Sequence, residues 1–233
     1  EEAKSAGELQ AEAVEPTDVI IDDSPLYQLL ADADAMLQSG DTNAANAMFL
    51  GAMEDEEFAQ LKTPLFNTMI RYFVFTGQMD SAKEQYLNAL RTMPEMAEPG
   101  FDTIYGSYLN MGDEEGALDW ARVLATQDIG EDLRITADSW LLNSLYRTGK
   151  NDELAEGIVA ALGKYEPVKI SPFLNMLGRQ AIEEGKLGVA ETIVGAIGNS
   201  EVKDDAGLKA LAETVGVKLD AAKGDFEKIA TNM

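Results

Sequence analysis

Neither cysteine nor histidine occurs anywhere in the 233 residues. Their absence removes disulfides, thiolate nucleophiles and imidazole bases, together with every zinc, copper or haem site that relies on Cys or His ligands. No stretch approaches the roughly eighteen uncharged apolar residues that a membrane-crossing helix needs, and no basic segment followed by an apolar core opens the chain. Positive charge is scarce: 18 Lys and Arg stand against 42 Asp and Glu, for a formal net charge of −24. Such a field repels nucleic-acid phosphates and anionic membrane surfaces, so neither nucleic acid nor membrane insertion is expected. A glycine-rich phosphate loop is also missing. The glycines of LAEGIVAALG and ETIVGAIG lie inside apolar helical stretches, where they permit close contact at a cost of about 1 kcal/mol each relative to alanine.

What is present is enough apolar material for a core, 45% of the residues, and a lopsided distribution of charge. Residues 1–61 hold fifteen acids and one base, Lys4, while residues 62–233 hold twenty-seven acids and seventeen bases. Residues 1–23 carry eight of those acids and few large apolar side chains. They read as an acidic, mostly disordered leader, whose Val19, Ile20 and Ile21 are expected to dock on the first helix. The chain opens on Glu1 instead of methionine, which tilts the expected location toward export, to a bacterial periplasm or cell envelope.

Two phrases recur. SPLYQLL at Ser24, TPLFNTM at Thr63 and SPFLNML at Ser171 each place a hydroxyl residue before a proline and apolar side chains after it. A glycine in a short polar turn returns at Gly40, Gly77, Gly112, Gly149, Gly185 and Gly224, at spacings of 37, 35, 37, 36 and 39. A period of that length marks helix–turn–helix units that bury their apolar faces by stacking. The Ser/Thr-Pro pairs are expected to be N-cap and N1 of each unit's first helix. Glu98-Pro99 would do the same job with a carboxylate, and the fourth unit would start near Asp132. Core positions follow from the register: Ala33 with Met36, Ile70 with Phe73, Tyr105 with Tyr108, and Leu142 with Leu145 lie seven and four residues before the glycines. Five residues after them stand Ala45, Ala82, Ala117, Leu154, Ala190 and Ile229, and twelve after them Ala52, Ala89, Leu124, Ala161 and Ile197. The sixth unit departs from the pattern, with Val217 and Asp220 in the first-helix places, and reads as a terminal cap.

On these residues the chain resembles the tetratricopeptide-repeat superfamily over residues 24–233. The resemblance lies in Ala33, the aromatics Phe73 and Tyr108, the turn glycines, the alanines after them, the bulky Phe49 and Tyr86, and Pro94. The stretch PLFNTMIRYFVFTGQMDSAKEQY also resembles a pentatricopeptide unit. The resemblance implies an all-α, right-handed solenoid of about six antiparallel helix hairpins, with units near 24–62, 63–97, 98–132, 133–170, 171–204 and 205–233. It further implies a concave groove, lined by first helices, that holds a protein or peptide without catalysis or cofactor.

In the family's register the residues ten and six before each glycine face that groove. Asn67, Arg71, Asn143, Asn175 and Arg179 fall there, and Arg147 stands two before Gly149. Asparagine suits an extended peptide backbone, and arginine offers a planar fork to a carboxylate, so the partner is expected to carry acidic groups. The competing account is that the arginines pair with nearby acids on a solvated face. The acid clusters at 54–57, 112–115 and 204–205 lack the alternating spacing of a calcium loop, and no metal is expected. A carboxylate enzyme using Asp102 and Asp138 is the alternative function. An RNA-binding pentatricopeptide-like array is a more distant one, because it needs a basic groove in this acidic chain.

Overall fold

The computed structural model describes residues 25–224, apart from the side chain of Glu57. Ser24, the acidic segment before it and Ile229 lie outside the described residues. Among the described residues all regular structure is helical. The chain divides into two compact units, Glu1–Ala52 and Met53–Met233.

In the first unit, α1 (Pro25–Gln38) and α2 (Thr42–Glu54) are joined at Gly40. Asp41 caps α2 by accepting from Ala44 N–H at 3.0 Å. Ala33 and Leu37 of α1 and Ala45, Phe49 and Ala52 of α2 are buried.

The second unit continues the pattern. Its helices are α3 (Lys62–Phe75), α4 (Met79–Thr92), the short α5 (Pro94–Ala97), α6 (Thr103–Asn110), α7 (Glu114–Ala125), α8 (Glu131–Arg147), α9 (Asn151–Lys164), α10 (Pro167–Glu183), α11 (Leu187–Asn199) and α12 (Ala206–Lys223). First helices pack on the next first helices, α3 on α6, α8 on α10 and α10 on α12. Second helices are set beside them, with α7 on α8, α9 on α11 and α11 on α12. These contacts join helices that are near neighbours along the chain.

The glycines set the register of the helices on either side of each turn. Gly40, Gly77, Gly112, Gly149, Gly185 and Gly224 all have φ between +71° and +84°, the left-handed region that side chains with a Cβ enter at a cost. At five of them the following N–H returns to the carbonyl five residues back, as from Gln78 to Phe73 at 2.7 Å and from Lys186 to Ala181 at 2.8 Å. These bonds satisfy carbonyls that the helix end would leave open. The residue whose carbonyl is used is also a core residue in the second unit: Phe73, Tyr108, Leu145 and Ala181 are all buried. Each turn thereby fixes which helical face points inward. Ala82, Ala117, Leu154 and Ala190, five residues past the glycines, are fully buried.

The helix starts differ from the sequence expectation. Thr63 does not cap α3. A 3-10 turn over Glu56–Leu61 runs into the helix, whose N-cap is Leu61, and Pro64 sits inside the first turn. Ser171 and Pro172 lie in the interior of α10, which starts at Pro167 after Glu166. Proline is favoured at N1, so Glu166-Pro167 takes the role assigned to Ser171-Pro172, and Pro172 deletes one backbone hydrogen bond inside the helix. Glu98 is not an N-cap either. It continues in helical backbone from α5 into a 3-10 turn ending at Gly100, and Asp102 precedes α6 without a side-chain cap. The third unit's first helix is therefore built in pieces. Asp132 does lie in the first turn of α8, behind Gly130.

Two further differences concern packing. Of the second-helix glycines, Gly157 meets Leu142, whose Cδ2 would lie 2.7 Å from an added Cβ, but Gly163, Gly195 and Gly198 face open space. In α12 the buried set is Leu208, Leu211, Val215 and Leu219, one position out of step with the earlier first helices. The longer spacing before Gly224 has shifted the frame, which leaves Val217 partly exposed.

Candidate functional site

The six residues expected in the groove lie on α3, α8 and α10, and the structure gives them unequal roles. Asn67 is turned into the junction between hairpins: its Nδ2 donates to Thr63 O at 2.9 Å and to Met96 O at 3.4 Å. Asn143 donates to the Tyr105 hydroxyl at 3.1 Å. Arg147 reaches from the end of α8 to Glu114 in the first turn of α7, at 2.7 Å. These three side chains hold one hairpin to the next.

The other three are available. Arg71 is exposed, and no described residue bonds or pairs with it. Arg179 is exposed and meets Glu183 only at 4.0 Å. Asn175 is half-buried, with an Oδ1 that is shielded from solvent and has no donor among the described residues. It lines a pocket of about 420 Å³ between α10 and α12, shared with Ser171, Gly207 and Thr214.

Aromatic side chains cluster in the core around α3, α4, α6, α7 and α8. Tyr86 lies between Phe66, Phe101 and Trp120, with ring centroids 6.2–6.4 Å apart. Its hydroxyl donates to Ala97 O at 2.7 Å, and burial, with the charges of Asp102 and Glu98, pushes its ionisation far up. Trp140 stacks on Tyr105 at 4.6 Å and on Phe101 at 4.9 Å. The Tyr105 hydroxyl also meets the buried Ser144 Oγ at 3.1 Å and donates to Trp140 O at 3.2 Å. These rings pack, as their helical spacing suggests.

Several carboxylates are engaged locally. Asp138 accepts from Lys164 Nζ at 2.7 Å and from the Tyr165 hydroxyl at 2.6 Å, which ties it to the end of α9. Burial and that carboxylate push the Tyr165 phenol up. Asp102 is exposed at the start of α6. Glu114 and Glu115 pair with Arg147 and Lys150, while Asp113 caps α7 and Asp205 caps α12. At the end of α10, Glu184 accepts from Tyr146 at 2.7 Å and pairs with Lys186 at 2.9 Å. Lys186, Gln180 and Tyr146 hold its carboxyl at about 2. The Lys186 ammonium also stands 4.3 Å over the Tyr146 ring.

One exposed residue escaped the sequence reading. Phe75, the last residue of α3, is 89% exposed. Its signal is positional: the place two before the turn glycine holds Gln38, Asn110, Arg147, Glu183 and Ala222 in the other units. No family model and no curated protein sequence matches this chain.

Proposed function

We propose that the chain is a non-catalytic protein- or peptide-binding scaffold, a right-handed, tetratricopeptide-like solenoid whose first helices line a concave groove. The observation that carries this reading is the pair Arg71 and Arg179, left exposed in a chain where acids outnumber bases 42 to 18. Most cations elsewhere are taken by acids, as in Arg122–Glu153, Lys150–Glu115 and Lys169–Glu131. Two arginines left on first helices offer planar donor sets to carboxylates of a partner. The orphaned Oδ1 of Asn175 adds an acceptor for a backbone N–H, because a buried acceptor without a donor costs free energy until something fills it. The engagement of Asp138 by Lys164 and Tyr165 supports a binding role over hydrolysis by paired carboxylates.

The test is retention from a native lysate on the immobilised chain, comparing wild type with the Arg71→Ala/Arg179→Ala double variant at equal helicity. A protein identified on the first and lost from the second supports the groove. Equal retention moves the site elsewhere, and no retention at all removes the scaffold reading.

A further inference from the structure

Phe75 is the exception among the described phenylalanines. Phe49, Phe58, Phe66, Phe73 and Phe101 are buried, and Phe173 packs against the core. Phe75 instead stands at 89% exposure in a place where the other units carry polar or small residues. Nothing in the hairpin architecture requires an aromatic ring there, and leaving one in water forgoes the free energy of its burial.

Its neighbour on the helix supplies a direction. Arg71 lies four residues earlier, so the two side chains share one face of α3 about 6 Å apart. Arg122, Arg134, Arg147 and Arg179 each have an acid within 4.0 Å, and Arg91 donates to Leu87 O. Arg71 has neither kind of partner among the described residues. At the glycine-turn end of the adjacent α6, Met111 adds a second exposed apolar side chain, 61% exposed. An apolar surface beside an uncompensated cation selects against basic segments and against wholly polar ones.

The geometry points to Arg71 and Phe75 as a docking point for an amphipathic acidic peptide segment of a partner protein, with an apolar side chain on Phe75 and a carboxylate on Arg71. This deepens the scaffold reading and rests on it. Both side chains project into solvent, so replacing them leaves the folded hairpin intact.

The probe is a labelled helical peptide carrying leucine and glutamate four positions apart on one face, titrated by fluorescence anisotropy at physiological salt. The wild-type chain binds it saturably. Phe75→Ser weakens binding about tenfold, and Arg71→Gln weakens it by about threefold to tenfold. A peptide with Glu→Gln loses affinity for wild type but not for Arg71→Gln, which isolates the charge pair. Circular dichroism verifies that both variants stay helical. Absence of saturation below about 1 mM, or equal binding by the Phe75→Ser chain, overturns the docking point. So does a wild-type chain that self-associates in sedimentation and becomes monomeric on Phe75→Ser, because the cover is then a second copy. If the lysate partner is lost with Arg179→Ala but kept with Phe75→Ser, the scaffold reading stands and the docking point falls. If the lysate yields nothing, the scaffold reading falls with it.

Discussion

Asn67 and Gly100 interlock across the junction of two hairpins: Oδ1 of Asn67 occupies the space that a Cβ on Gly100 would need. The side chain has little freedom to yield, because its Nδ2 is bonded to Thr63 O and Met96 O. Gly100→Ala is expected to destabilise the fold by about 1–3 kcal/mol, as overpacking does. In urea unfolding, the Asn67→Ala/Gly100→Ala double variant should lose less than the sum of the two single changes. Additive losses would mean that the two residues do not meet.

Tyr105→Phe keeps the stack on Trp140 but removes a hydroxyl shared by Asn143, Ser144 and the Trp140 carbonyl. Ser144 is fully buried, so its hydroxyl loses a partner that water cannot replace. A loss of about 1–2 kcal/mol in the urea midpoint analysis is expected.

The Glu184 carboxyl, held at about 2 against an ordinary 4.5, makes stability depend on acid. Its ionised form is favoured in the folded state, so the contribution is complete above 4.5 and disappears as the pH falls toward 2. Glu184→Gln should therefore be less stable than wild type at pH 6, with the gap closing over that interval. A gap independent of pH would show that the clasp with Lys186, Gln180 and Tyr146 is not electrostatic. Glu184 is substantially exposed, so the change will be reduced by solvent screening.

Two glycine substitutions should have opposite signs. Gly149 has φ +72°, and Gly149→Ala forces a Cβ into the left-handed region at about 1–2 kcal/mol. Gly163 lies inside α9 with open space where its Cβ would stand, so Gly163→Ala should stabilise by about 0.5–1 kcal/mol. Thermal unfolding of the two variants decides both.

The arginines should separate in the same assay. Arg71→Ala and Arg179→Ala are expected to stay within about 0.5 kcal/mol of wild type, as exposed side chains with weak or no internal partners do. Arg147→Ala breaks a partly exposed bridge to Glu114 and also exposes that carboxylate to its acidic neighbours. A loss of up to about 1 kcal/mol is expected.

The six turns were legible because a left-handed backbone leaves a mark in the sequence: glycine is the residue that adopts it without strain, and all six glycines do. The core followed from those anchors, since helical spacing carries the inward face from Gly149 to Leu145 and Leu154. Helix starts were less legible. A Ser-Pro or Thr-Pro pair looks the same before a helix as inside its early turns, and Ser171-Pro172 was one turn too late because Pro167 had already begun α10. The polar candidates were recognisable as polar but not as engaged or open. Asn143 meets Tyr105 across thirty-eight residues and Asn67 meets Met96 across twenty-nine, partners that no local pattern announces. Phe75 broke the repeat's own rule at its position, a signal visible only when the units are aligned on their glycines.

Several of the cross-hairpin bonds share one range. Tyr105 with Ser144, Tyr146 with Glu184, Arg147 with Glu114 and Lys150 with Glu115 span thirty-three to thirty-nine residues, about one repeat. Bonds of that range close only short loops, so each can form once two neighbouring hairpins are ordered, without waiting for distant parts of the chain to meet.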